Sequence, residues 1–126
     1  IIFVRHDDPG QPHGTEKWQI HKELDCRDDD IFVEKKHCDS FNKTDFLDVL
    51  KKREIEEIVV CGLQTEYCVD TACRSAVGKG IKTLLVKDAH STADGDTLSA
   101  KQIIEHHNEV LGNAFVELVL TTDTEF

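Results

Sequence analysis

Apolar and polar residues alternate along this chain with two different periods. Short runs rich in Ile, Val and Leu at residues 1–5, 31–34, 57–62, 81–87 and 115–120 read as strands. Between them the period lengthens to that of a helix. Phe46, Val49, Leu50 and Arg53 follow Thr44 and Asp45, and Ile103, Ile104, His107, Val110 and Leu111 precede Gly112. In the middle of the chain Val69, Ala72, Cys73, Ala76 and Val77 fall at i, i+3, i+4, i+7 and i+8, one continuous helical face. Gly78 and Gly80 punctuate its end, as glycine does in the left-handed position past a helix. Residues 9–30 hold both prolines, two glycines and the only tryptophan, and with residues 94–96 they read as loop. Strands alternating with helices predict an α/β fold, a mostly parallel sheet covered on both faces.

The chain has 126 residues, which suits one domain, and no linker or repeat divides it. Fifteen basic residues against 25 acidic ones give a net charge of −10. A surface that negative repels phosphate backbones and anionic lipid, which argues against nucleic-acid and membrane partners. The longest apolar run, residues 58–63, is far shorter than the roughly 20 residues of a membrane span. With no signal peptide visible, a cytoplasmic protein is expected. The five cysteines, at 26, 38, 61, 68 and 73, lack the close pairs that wrap zinc, and reduced thiols are the expectation.

One of these cysteines stands in a chemically suggestive place. The buried strand ending at Gly62 runs into a helix that begins near Thr65. Thr65 is placed to cap that helix through the amide of Tyr67 or Cys68, and Glu66 suits its positive first turn. Cys68 therefore falls in the first turn, where free amides and the helix dipole favour thiolate. Ligands bind at the carboxyl ends of strands in open α/β sheets, so a thiolate there has the makings of an acyl-transfer nucleophile. Most cysteines are simply core packing, and Cys61 and Cys73 fit that description.

These residues carry a resemblance. The stretch Gly62, Gln64, Thr65, Cys68, Val69, Thr71 and Ala72, followed by Ala76 and Gly80, resembles the nucleophile motif of the isochorismatase-like cysteine hydrolases. That superfamily includes nicotinamidases, N-carbamoylsarcosine amidase and streptothricin-hydrolase-like enzymes. Trp18 and His21 sit in a segment similar to the loop after the family's second strand. Lys35 to Phe41 resembles the segment carrying its lysine, and Lys87, Asp88, His90 and Ser91 the end of its fifth strand. The resemblance implies a three-layer α/β/α, Rossmann-like sheet of order 3-2-1-4-5-6 and an Asp-Lys-Cys triad, with Cys68 as nucleophile and Lys35 as the lysine. Lys36 competes with Lys35, but adjacent strand residues point to opposite faces and only one can reach the site. It also implies a cis peptide between Leu63 and Gln64 and an oxyanion hole made by the amides of Gln64 and Cys68. Trp18, Phe41 and Tyr67 are candidate walls of the substrate pocket. No cofactor is implied, and homo-oligomers, dimers or tetramers, are common in the superfamily.

Two departures from the family pattern shape the expectations. The family aspartate ends the first strand, whereas the first strand of this sequence matches the family's second. Asp7 and Asp8 are thus misplaced for that role, and an upstream segment bearing a strand, the aspartate and a helix is expected in the parent protein. Without it two strand edges would stand unpaired in the core, which outweighs a domain's stability of about 5–15 kcal/mol. Nicotinamidases hold a metal with an Asp-x-His pattern, and here that place reads Arg5, His6, Asp7, Asp8, so no metal is expected. The resulting expectation is a hydrolase of small amides or related C–N bonds acting through a cysteine thioester. The rival is a non-catalytic binding or assembly subunit on the same fold. A redox thiol protein pairing Cys68 with Cys61 or Cys73 is a third reading, disfavoured because strand and helix core hold those partners apart.

Overall fold

The computed structural model describes residues 1–124. Five parallel strands and three helices follow in the order β1 (Ile2–His6), β2 (Ile31–Lys35), α1 (Phe46–Lys52), β3 (Glu57–Leu63), α2 (Asp70–Gly78), β4 (Lys82–Ser91), α3 (Ala100–Ala114) and β5 (Glu117–Val119). A π-helical turn, Thr65–Val69, stands between β3 and α2, and a 3-10 turn, Thr121–Asp123, follows β5. The strands form two sheets, β1-β2 and β3-β4-β5. Among the described residues no ladder joins β1 to β3. The two sheets nonetheless share a core. Ile2 and Val4 of β1, Val33 of β2 and Ile58 of β3 pack with Phe46 and Leu50 of α1 and Ala76 of α2. A second cluster joins Val60 and Leu85 to Val69, Cys73, Leu111 and Val116.

The α/β class and the parallel pairing match the sequence pattern, with two adjustments. The expected helices on both faces reduce, in the described chain, to helices on one. Right-handed crossovers that advance in one direction put their helices on the same side, and α1, α2 and α3 all pack against the face bearing Ile58, Val60 and Leu85. On the opposite face Phe32 stacks on Phe3 at 5.6 Å and remains partly exposed, as does Val59. The second adjustment concerns β4, which runs to Ser91 rather than ending near Lys87. After Val60↔Leu85 its register with β3 shifts and resumes at Gly62↔His90 and Leu63↔Ser91. Gly62 sits at this irregularity with φ 125°, a backbone conformation that costs a side-chain-bearing residue dearly. Asp88, in the displaced stretch, accepts bonds from the amide and hydroxyl of Thr121, and its carboxyl is held below the usual range chiefly by the Thr121 hydroxyl.

The irregularity brings His90 under the turn that follows β3. Thr65 is fully buried, and its hydroxyl lies 2.9 Å from His90 Nδ1. On the other side of the ring His90 Nε2 lies 3.0 Å from Asn108 Oδ1, and Asn108 Nδ2 donates to the carbonyl of Lys87 at 3.1 Å. Because the amide oxygen of Asn108 can only accept, Nε2 carries the proton and Nδ1 accepts from Thr65. Thr65 is therefore not the expected helix cap. Gln64 holds that position, with no side-chain cap bond. Thr65 is the first residue inside the turn, and its hydroxyl points into the core at His90 instead of accepting from the turn's free amides.

Thr65→Val keeps the shape and removes the donor, leaving a buried ring nitrogen unsatisfied. It is expected to lower stability by about 1–3 kcal/mol. Thr65→Ser, which loses one methyl but keeps the hydroxyl, is expected to cost about 0.8 kcal/mol. Urea unfolding midpoints at constant slope check both; equal losses in the two variants would mean that the hydroxyl contributes nothing.

Candidate active site

The carboxyl ends of β1 and β2 and the turn after β3 converge. The register of the first sheet sets His6 opposite Lys35 at its carboxyl end. Alternation along β1 puts His6 on the side of Ile2 and Val4, and along β2 it puts Lys35 on the side of Val33, the helix-covered face. Lys35 is only 4% exposed. Its Nζ donates to the carbonyl of Cys38 at 2.7 Å, in the irregular segment that follows β2. Lys36 points the other way into solvent and pairs with Asp7 at 3.6 Å. Of the two neighbouring lysines, only Lys35 turns inward.

Cys68 meets these residues from the turn above. Its Sγ lies 3.8 Å from His6 Nδ1. Burial first, and the Cys68 sulfur next, push the Cys38 thiol up, against the pull of the Lys35 ammonium. The turn itself is irregular: the amides of Tyr67 and Val69 both donate to the carbonyl of Gln64, each at 3.2 Å, bracketing the amide of Cys68. The Leu63–Gln64 peptide is cis, as the resemblance implies. Below the turn, Glu66 Oε1 accepts from the Thr92 hydroxyl at 2.9 Å, a second tie to the far end of β4.

The aromatic candidates separate. Phe41 packs tilted against Phe46 in the first core cluster, 4.7 Å between rings, and is core rather than wall. Trp18 lies under the Arg5 guanidinium, 3.7 Å from its ring centre, and against His13. Arg5 and His6 alternate, so Trp18 covers the face of β1 opposite to the one bearing His6. Tyr67 is 53% exposed beside Cys68 and, with Glu66, Leu98 and His107, lines a hollow of about 300 Å³. A larger hollow, about 740 Å³, is lined by Leu47, Ile55, Glu57 and Lys82. Glu57 and Lys82 begin their strands, so that hollow opens at the amino end of the sheet, away from the thiols.

The other cysteines do not join the site. Cys73 is fully buried among apolar side chains, which pushes its thiol up to about 12. Cys61 and Cys26 are exposed elsewhere. Asp7 and Asp8 are engaged locally: Asp7 accepts from the amide of His13, and Asp8 from those of Gly10 and Gln11. Among the described residues no group of three His, Cys, Asp or Glu is gathered closely enough to hold a metal. His6 is the residue that motif reading passed over. Its signal was the shared face of Ile2, Val4 and His6, but the contact with Cys68, 62 positions away, appears only in the fold.

Comparison with known proteins gives the family. A streptothricin hydrolase of Streptomyces noursei is 32% identical over 98 residues, 75% of this chain and 38% of the relative. The chain thus spans less than half of that protein. A secreted isochorismatase effector, Isc1, of Verticillium dahliae is 28% identical over 98% of this chain and 67% of its own length. A crystal structure of an isochorismatase family protein superposes with a TM-score of 0.91 at 36% identity, covering 94% of this chain and 71% of that one. Among the described residues no helix is long and apolar enough to cross a membrane. The family model described as the isochorismatase domain matches residues 1–122, and the chain belongs to the isochorismatase family.

Proposed function

We propose that this protein is a cysteine-dependent hydrolase of a small amide or a related C–N bond. Cys68 attacks the carbonyl carbon, the amine leaves, and water then cleaves the thioester. Lys35 stabilises the thiolate and the developing oxyanion, and the amides of Gln64 and Cys68 receive that oxyanion. In the Asp-Lys-Cys triad that the resemblance implies, an aspartate carboxylate takes the proton of the thiol. The observation that carries this reading is the convergence around Cys68 of the buried Lys35 and His6, at the carboxyl end of parallel strands. Streptothricin hydrolase, among the relatives, is by its name a hydrolase.

The 3.8 Å contact between Cys68 and His6 favours a second reading of the proton's path, in which His6 itself accepts it. His6→Gln separates the two. If His6 is the base, kcat falls by about 10²–10⁴-fold, the usual contribution of general base catalysis. If a carboxylate does this work, kcat falls far less.

Turnover of a panel of small primary amides tests the proposal as a whole. Cys68→Ala is expected to abolish it. Lys35→Met is expected to lower kcat by about 10²–10³-fold, the cost of removing one oxyanion-stabilising group, with little change in KM. Iodoacetamide should label Cys68 and spare Cys73 in the folded protein. No turnover on any amide, with Cys68 no more reactive than an ordinary thiol, would sink the hydrolase and leave a binding subunit on this fold.

A further inference from the structure

The hollow beside Tyr67 and the one at the amino end of the sheet differ in charge. Lys51, Lys79 and Lys82 line the amino-end hollow. Neither lysine nor arginine lines the smaller one, whose walls hold Glu66 and Asp96. It is also rich in acceptors that want a donor. Glu66 gives Oε1 to the Thr92 hydroxyl, but its Oε2, shut off from water, has no hydrogen-bond partner among the described residues. A carboxylate oxygen in that state is costly, and a cation or an N–H group brought into the hollow relieves it. His107 Nδ1 lies 2.8 Å from the carbonyl of Ile103, which can only accept. In the neutral ring Nδ1 therefore carries the proton, and Nε2 keeps a lone pair to offer. Asp94 is engaged by the amide of Ala100, whereas Asp96 stands exposed at the rim. The rest of the wall is apolar or aromatic: Leu98, Ile103 and the half-exposed ring of Tyr67. A tyrosine face attracts a cation through its quadrupole, and a net charge of −10 draws cations to the whole surface.

We infer that the hollow beside Tyr67 receives the positively charged end of the substrate, which is thus an amide that also carries an ammonium group. The inference rests on the hydrolase reading above and narrows it. Tyr67 directly precedes Cys68, so the hollow begins one residue from the nucleophile. At about 300 Å³ it has room for a short or single-ring amine and for nothing much larger. The roles divide by chemistry. Tyr67 and Leu98 enclose the carbon chain, Glu66 and Asp96 set the sign of the charge, and His107 Nε2 accepts one ammonium hydrogen. An anionic amide is repelled, and a neutral one of equal length gains only the apolar contact.

The test uses three amides of equal chain length: 4-aminobutanamide, pentanamide and the monoamide of glutarate, which end in an ammonium, a methyl and a carboxylate. Each is titrated into isotope-labelled Cys68→Ala protein, which cannot turn it over, and two-dimensional NMR reports which residues respond. The cation is expected to move the signals of Tyr67, Leu98 and His107 and to bind about tenfold more tightly than pentanamide. The anion is expected to leave those signals unmoved. Asp96→Asn should weaken the preference for the cation, and so should Glu66→Gln, which keeps an oxygen for Thr92. Asp96 is exposed, so its variant decides the matter even if circular dichroism shows Glu66→Gln to be unfolded. Three results would overturn the inference: equal affinity for the cation and pentanamide, responses confined to residues away from the hollow, or a preference undiminished in the folded variants. Turnover of the same amides by the unaltered protein is a separate readout. A protein that holds the cation in the hollow but cleaves no amide loses the hydrolase and keeps the site. One that cleaves pentanamide as well as 4-aminobutanamide, with no response at the hollow, does the reverse.

Discussion

The placement of Cys68 rests on a chain of three side chains, the buried Thr65 and His90 and the half-buried Asn108, ending on the carbonyl of Lys87. Every polar atom named in that chain has a partner, which is what makes it tolerable inside a core. It also ties three elements together: the turn after β3, the far end of β4 and the face of α3. A turn held only by its own backbone could rock about the bend at Gly62. This one is anchored at Thr65 and again through Glu66 and Thr92, so the thiol it carries has a defined position relative to the strand ends.

From that anchor the wider architecture makes sense. His90 reaches Thr65 only because β4 bulges against β3 between Val60 and Gly62 and then resumes pairing. The bulge in turn displaces Asp88 outward, where Thr121 occupies its carboxylate and pins the chain after β5. One local irregularity thus serves both the site and the closure of the sheet edge. On the other side of the site, β1 and β2 bring His6 and Lys35 up in register, and the shared core under α1 holds that small sheet against β3 without a hydrogen-bonded ladder between them.

Much of this was legible in the sequence, for reasons that can be named. Strand and helix periods gave the element order, since the core selects apolar residues at those spacings whatever the topology. The alternation of strand residues decided between Lys35 and Lys36 in principle, and only the face remained to be learned. What escaped was everything that depends on partners far apart in the chain. Thr65 reads as a cap because a threonine ahead of a helix usually is one, and His90, to which its hydroxyl turns instead, lies 25 positions on. Trp18 and Phe41 read as pocket walls because large aromatics often are, yet Arg5 claims the first and Phe46 the second. The apolar period alone stops β4 near Lys87, where Lys87 and Asp88 break the run, and only the resemblance carried the strand end on to Ser91.

The contrast between Cys68 and Cys73 shows how little separation suffices to divide structure from chemistry. Both lie on one continuous helical segment, five positions apart. Cys73 follows the α-helical spacing of Val69 and Ala76 and is drawn into the core, where apolar surroundings suppress its ionisation. Cys68 precedes the change from π to α winding, at the turn where the amide of Val69 reaches back five residues to Gln64. Widened turns of this kind recur where a helix must present a group rather than bury it. Thr65 and Val69, four positions apart, both sit in the core while Cys68 stays at its edge, facing His6. The polar chain beneath the turn, from Thr65 through His90 to Asn108, holds it in place, so the thiol at the edge of the core keeps its position.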